Sequence, residues 1–270
     1  MCRFYALRAT APTRAECGLV HAPNSLLAQS RQDLHGFEHA DGWGIAAYRP
    51  DGVGVERQPF AAHDGRGFRA AAAKVEARTV LAHVRRATVG ATLPENTHPF
   101  AHGPWTFVHN GTVPYFAEVR DALLAGMSAE HRAAIAGQTD SEHLFHFILS
   151  SHEQASGRPL LASLQLALRR VVAWCRARGH EPHLGLNVLL TDGVAMVGSR
   201  WQRTLHCLEV EGLADCPVCR RPHAACRERY RALVIASEPT TDEPWQEVPE
   251  HSVFEVTREL RLHALPLAAE

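Results

Sequence analysis

The stretch from residue 186 to residue 199 constrains the fold most. Residues 186–191 and 194–199 are two apolar runs separated by Asp192-Gly193. Both turn residues tolerate positive φ, so the runs read as the arms of a β-hairpin. The same design recurs. Residues 44–49 read as a strand, Pro50-Asp51-Gly52 as its turn and residues 53–57 as the return. Residues 79–84, 106–109, 232–237 and 252–257 add further strand candidates. Two helices are marked by apolar spacing. Leu144, Phe145, Ile148 and Leu149 share one face, as do Leu160, Leu161, Leu164, Leu168, Val171, Val172 and Cys175. Weaker helical patterns cover residues 67–77 and 116–125. Hairpins outnumber strand–helix–strand units, which predicts an α+β fold with antiparallel sheets.

Bulk composition narrows the function. Hydrophobic residues make up 46% and charged residues 21%, enough for a sizeable core. Basic residues number 28 against 29 acids, so no long-range field recruits nucleic acid or an anionic membrane. A small-molecule substrate is the expectation. No apolar run has the length of a membrane span, and Met-Cys-Arg-Phe-Tyr is no secretory start. The expected compartment is the cytoplasm, where the seven cysteines point to reactivity, metal binding or burial rather than disulfides. With neither repeat nor long linker, residues 1–270 read as a single domain.

Several short motifs carry chemistry. Cys2 becomes the first residue if Met1 is removed, and then holds a thiol and a free α-amine on one carbon. An α-amine with a reference pKa of ~8 takes a thiol proton near neutrality. Taken alone, Cys2 also reads as an incidental cysteine. His83-Val84-Arg85-Arg86-Ala87-Thr88 ends a strand with a guanidinium fork suited to a carboxylate. Asn110-Gly111 reads first as a turn, yet it sets an amide NH2 beside an unhindered backbone N–H, the two donors of an oxyanion hole. Thr139 and Glu142 fit a capping box, with Asp140 in the first helical turn and open to a substrate ammonium. Asp41-Gly42-Trp43-Gly44 suits a tight turn or a pocket wall. Asn96-Thr97-His98-Pro99-Phe100 reads as a polar loop.

In this order the pieces resemble the class II glutamine amidotransferases, most closely the small stand-alone YafJ-type branch, which is similar to the γ-glutamyl hydrolase of ergothioneine synthesis. Specific motifs carry the resemblance over about residues 2–150. It continues more loosely through Ala236-Ser237-Glu238-Pro239 and Trp245 to Pro249. It implies an N-terminal-nucleophile (Ntn) hydrolase fold, a four-layer αββα sandwich with two antiparallel sheets. It also implies Cys2 as nucleophile, Asn110 and Gly111 as oxyanion donors, and Arg85 and Asp140 on the substrate's carboxylate and ammonium. Thr88 and Trp43 are expected beside them in the substrate pocket. The implied reaction releases ammonia or an amine from glutamine or a γ-glutamyl compound and needs no catalytic cofactor. Larger relatives carry a synthase domain, so either a separate synthetase subunit uses the ammonia or the chain simply hydrolyses a γ-glutamyl amide. The alternative is a catalytically silent module of the same fold that binds a γ-glutamyl ligand or a protein.

A separate signal is a Cys-rich insert near residues 207–227. Cys207, Cys216, Cys219 and Cys226, with His223 as a substitute, suit tetrahedral zinc in a structural role. An unoccupied surface loop and a redox pair are the other readings.

Overall fold

The computed structural model describes residues 2–212, 216, 218–221 and 230–267. The chain runs β1 (Arg3–Arg14), a π-helical turn (Cys17–His21), α1 (Leu26–Arg31), β2 (Trp43–Arg49), β3 (Gly52–Gln58), α2 (Arg66–Ala73) and β4 (Glu76–Val84). There follow β5 (Phe100–His102), β6 (Trp105–Thr112), α3 (Phe116–Ala125), α4 (Ala129–Ala134), α5 (Asp140–Glu153) and α6 (Leu160–Arg176). The last part holds β7 (Gly185–Thr191), β8 (Met196–Arg200), β9 (His206–Glu211), β10 (Arg231–Ala236), β11 (Gln246–Glu247), β12 (Ser252–Val256) and β13 (Leu262–Pro266).

Two antiparallel sheets result. The first has the order β11-β9-β10-β1-β4-β2-β3 and the second β13-β12-β8-β7-β6-β5. They stack face to face, because strand parity splits each strand's apolar residues between two cores. Phe4 and Ala6 of β1, Leu81, Ile235, Val108, Leu189 and Phe254 fill the space between the sheets. Tyr5 and Leu7, with Ile45 and Val80, face outward onto Leu26 of α1 and Phe68 of α2. On the far side Phe107, Val188 and Leu190 pack against Phe145 and Ile148 of α5 and Leu164, Leu168 and Val171 of α6. This is the expected four-layer αββα sandwich.

Three departures from the sequence reading matter for the site. First, the central strand β1 had no counterpart among the strand candidates. Second, Asn110 and Gly111 lie inside β6, paired with Asn187 and Leu186 of β7, and do not form a turn. Third, β7 and β8 close through four residues, with Thr191 opposite Met196. In that loop Gly193 has φ 92°, and the Asp192 carboxylate accepts from the Val194 and Ala195 amides at 2.8 and 2.7 Å. Asx-turn chemistry thus replaces the two-residue turn.

The cores also bury His39, His83, His98 and His146. Burial pushes His39 and His146 down to about 4 and His83 to about 3, with His98 also well below its ordinary value. In the unfolded chain these rings titrate near ~6.5. The unfolded state therefore binds more protons below that pH, and stability falls as pH drops from 6.5 toward 4. At pH 5 each such ring is expected to remove about 2 kcal/mol. Urea unfolding at pH 7.5 and pH 5 checks this: the midpoint should be clearly lower at pH 5, and equal midpoints would contradict it.

Candidate active site

Cys2 immediately precedes β1, and strand parity aims its side chain with Phe4 and Ala6 into the seam between the sheets. It is 8% exposed, and its sulfur donates to the Arg86 carbonyl at 3.5 Å. Burial pushes the thiol up, Arg85 pulls it back down, and Asp140 adds to the rise. The sulfur thus lies in the fields of both groups expected to grip an amino-acid substrate.

Arg3 fixes the backbone at this point. Its guanidinium donates from Nη1 to the Cys2 carbonyl at 2.9 Å, from Nε to Glu238 at 2.8 Å, and pairs through Nη2 with Asp33 at 2.6 Å. All three side chains are buried. Two carboxylates face one guanidinium, and polar donors absorb the excess. Glu238 also accepts from the Leu34 amide and Asn24; Asp33 accepts from the His35 and Phe37 amides and meets His39 Nε2 at 3.1 Å.

Arg85 continues from β4. Its amide donates to the Gly42 carbonyl at 2.7 Å, and its carbonyl accepts from the Asp41 amide at 3.0 Å. Gly42 has φ 135°, which favours glycine, and a Cβ there would sit 3.0 Å from the Gln58 carbonyl oxygen. The Arg85 guanidinium gives three of its five N–H bonds to the carbonyls of Val89, Gly90 and Ala91, leaving two for a ligand. Asn96 ties this loop to the next segment. It donates to the Ala91 carbonyl at 3.0 Å and accepts from the Gln138 amide at 2.8 Å.

Asp140 opens α5, buried, with one oxygen accepting from the Val113 amide at 2.7 Å and the other from the Ser141 amide at 2.9 Å. Lone pairs remain for an ammonium. Half of the capping box forms: Thr139 accepts from the Glu142 amide at 3.1 Å. The Glu142 carboxylate turns away and accepts from the Ala136 and Gly137 amides.

Asn110 and Gly111 come from β6 of the second sheet. The Asn110 amide donates to Ser237 Oγ at 3.3 Å, and that oxygen accepts from the Phe4 amide at 3.0 Å. One serine so joins the asparagine to the strand that carries Cys2. Beyond Phe107 the β6 edge opposite β7 has no strand neighbour, since β5 pairs only as far as that residue. Alternate N–H groups there are left for other acceptors. Glycine at 111 is dictated by the neighbouring strand as well: a Cβ would lie 2.0 Å from the Gly185 carbonyl oxygen. His109 Nε2 donates to that carbonyl at 2.9 Å, so Nδ1 accepts from Ser141 and docks α5 on β6. Thr88 meets Thr112 hydroxyl to hydroxyl at 3.1 Å at the exposed mouth.

Hydrogen bonds thus chain the segments that carry Cys2, Arg85, Thr88, Asn110, Gly111 and Asp140 to one another across the two sheets. Trp43 does not join them. It is fully buried on the opposite face of β2, edge-on to Phe68 at 5.3 Å, because position 43 shares the parity of Ile45 and Ala47. Sequence reasoning gave Arg3, Asp33 and Glu238 no shared buried ion-pair role, because they lie far apart in the chain. It also missed the bracing roles of Asn96, Ser141 and Ser237.

The metal reading is also corrected. Cys207 lies within β9, pairs with Ile235, and points into the space between the sheets. The excursion therefore begins after Glu211. Cys216 and Cys219 instead meet Cys17, their three sulfurs within 4.8 Å of one another. Cys226 and His223 lie outside the described residues.

An αββα sandwich of two antiparallel sheets with a buried cysteine just ahead of a central strand is the architecture of the N-terminal-nucleophile hydrolase fold. The model of the class-II glutamine amidotransferases matches residues 24–261, and the chain belongs to that family. It is 28% identical over 273 residues to a gamma-glutamyl-hercynylcysteine sulfoxide hydrolase of Mycolicibacterium smegmatis, spanning 99% of this chain and 100% of the relative. A probable glutamine amidotransferase of Saccharomyces cerevisiae is 26% identical over 301 residues, covering 98% of this chain and 84% of that protein. In fold it is similar to a glutamine aminotransferase class-II domain protein from Silicibacter pomeroyi, with TM-score 0.65, 23% identity, and coverage of 99% and 100%.

Arg3→Met leaves Asp33 and Glu238 buried without their cation. Breaking such a set is expected to lower stability by about 3–5 kcal/mol, measured by urea unfolding. A change of only a few tenths would show that the network is dispensable.

Proposed function

We propose that this protein hydrolyses the γ-amide bond of a γ-glutamyl compound, glutamine included, through a thioester on Cys2. The observation that carries the reading is the buried Cys2 sulfur against the Arg86 carbonyl, in the fields of Arg85 and Asp140, with Asn110 tied through Ser237 to β1 just beyond it. Relatives named as a γ-glutamyl hydrolase and a glutamine amidotransferase support the same bond as target.

Arg85 pairs its guanidinium charge with the α-carboxylate through a remaining N–H, and Asp140 takes the α-ammonium. The side-chain amide then lies over Cys2, which converts a bimolecular attack into an oriented one. With Met1 removed, the Cys2 α-amine accepts the thiol proton as sulfur bonds to the amide carbon. Asn110 and Gly111 donate to the oxyanion; losing one such donor costs on the order of 3 kcal/mol. The carbon–nitrogen bond breaks, and the ammonium returns its proton to the leaving nitrogen. Water then adds hydroxide to the acyl carbon and a proton to sulfur, releasing a free γ-carboxyl group.

On this reading residues 1–270 form one amidotransferase domain with a cysteine-bearing excursion after Glu211. The chemistry needs no cofactor, and a metal on the cysteine cluster is structural, since the cluster belongs to the outer face of the first sheet. A reduced thiol is required, which fits a cytoplasmic setting. Among the described residues no helix is long and apolar enough to cross a membrane.

Mass spectrometry after incubation with a glutamine-derived electrophile is the test. A mature chain starting at Cys2 and labelled there is expected, and Cys2→Ala should abolish both label and turnover while the fold survives. Active protein that retains Met1, or a label elsewhere, overturns the mechanism; no turnover and no label on any γ-glutamyl amide favours the silent binding module. Turnover of glutamine only beside a separate synthetase would identify an ammonia donor rather than a hydrolase. Arg85→Lys should raise KM about 10- to 100-fold, because an ammonium supplies neither the fork nor the loop contacts. Unchanged kinetics would remove Arg85 from the substrate site.

A further inference from the structure

Cys17 and Cys216 are nearly buried and Cys219 is half-buried, and their sulfurs lie within 4.8 Å of one another. They come from two segments far apart in sequence: the π-helical turn after β1 and the excursion after β9. We propose that Cys17, Cys216 and Cys219 bind one zinc ion as thiolates, stapling that excursion to the outer face of the first sheet.

The distances suit the ion. Zinc–sulfur bonds of about 2.3 Å put the ligand sulfurs of a tetrahedron roughly 3.8 Å apart. The upper bound of 4.8 Å on the three separations admits that value. A disulfide accommodates the set poorly, since one bond consumes two sulfurs and strands the third.

Both supporting segments are shaped around the sulfurs. Cys216 and Cys219 sit on a turn that closes on itself: the Cys216 amide donates to the Arg221 carbonyl at 3.1 Å, and the Arg220 amide to the Cys216 carbonyl at 2.9 Å. The Val218 amide points at Cys216 Sγ, 3.4 Å away, a contact that favours a thiolate. Arg220 is held at φ 57°, a left-handed conformation that a non-glycine residue keeps where its surroundings demand it. On the other side, Gly18 lets the turn bearing Cys17 lie flat on Tyr5: a Cβ there would be 2.6 Å from the tyrosine ring. The Ala22 amide closes that turn on the Cys17 carbonyl at 2.8 Å.

The chemistry balances simply. Each thiol gives its proton to solvent and its sulfur lone pair to zinc, with no redox change. Three thiolates and a divalent ion leave a charge of −1, close to Arg220 and Arg221. The fourth position of the tetrahedron remains for another donor. Zinc bound only to the folded state stabilises it by linkage.

The test uses the full chain under reducing conditions. Wild-type protein loaded with zinc and passed through gel filtration should retain about one ion per chain. Cys17→Ser should retain less than about a tenth as much, while Cys207→Ser keeps the full amount. Cobalt(II) in wild-type protein should show thiolate-to-metal charge-transfer absorption with the intensity of at least three thiolates, a readout that does not depend on any variant folding. A wild-type chain that retains no zinc and shows no such absorption overturns the proposal. So does loss of the metal in Cys207→Ser with retention in Cys17→Ser. Cys2 takes no part in either measurement, so the outcome is independent of the proposed hydrolase activity.

Discussion

One guanidinium holds the working end of this molecule together. Arg3 touches the Cys2 carbonyl, the Asp33 loop and Glu238 beyond β10, all out of water. A charge buried this deeply is tolerable only where every partner is fixed, so the three segments become mutually dependent. The first residue of a chain ordinarily frays. Here the residue after Cys2 is clamped by the most expensive kind of contact a protein makes, and β1 behind it is paired on both sides by β4 and β10. Without that clamp Cys2, the proposed nucleophile, would sample many positions and the seam would have no defined floor.

Each sheet supplies half of what the proposed chemistry requires. The first brings Cys2 and, from the end of β4, Arg85. The second brings Asn110 and Gly111, with Asp140 docked on it by the bond between Ser141 and His109. Relative placement of the halves rests on side chains that cross the seam or bridge its rim. Ser237 binds both Phe4 and Asn110, Asn96 joins the Arg85 loop to Gln138, and Thr88 meets Thr112. These contacts are single hydrogen bonds, each worth about 1 kcal/mol net, so rigidity comes from their number and from the apolar core beneath.

Much of this was legible in the chain. The β2–β3 and β7–β8 hairpins, the helices α5 and α6, and the family motifs at Cys2, Arg85, Asn110-Gly111 and Asp140 all stand in the sequence. What stayed hidden follows from two physical causes. Distant partners decide whether a charge can be buried, so Arg-Phe-Tyr-Ala-Leu-Arg-Ala-Thr-Ala-Pro-Thr-Arg did not read as the most central strand. Tertiary contact also overrides local turn chemistry: Asn-Gly ordinarily turns the chain, but at 111 glycine answers the carbonyl of Gly185. Strand parity explains the other errors. Position 43 shares the face of Ile45, and Cys207 the face opposite Leu208. Counting by twos along β2 and β9 would have put Trp43 in the outer core and Cys207 between the sheets.

The surroundings of the sulfur bear on how it is activated. A nucleophilic cysteine in a buried site needs a proton acceptor, since desolvation favours the neutral thiol. The hydrogen-bond partner seen for Cys2 is the Arg86 carbonyl, which accepts a hydrogen bond but takes no proton. The nearby imidazoles are poor acceptors: His83 Nδ1 and both nitrogens of His98 are without a partner among the described residues, but burial holds these rings well below their ordinary basicity. His83 contacts the His109 carbonyl, His109 spans Ser141 and Gly185, and burial keeps both rings neutral and weakly basic. Arg85 stabilises a thiolate by its field, yet it carries a proton already and accepts none. In the proposed mechanism, with Met1 removed, the amine on the same residue as the sulfur meets the remaining requirement. It arrives with the nucleophile, needs no second side chain in a crowded seam, and is held in place by the same backbone that Arg3 clamps.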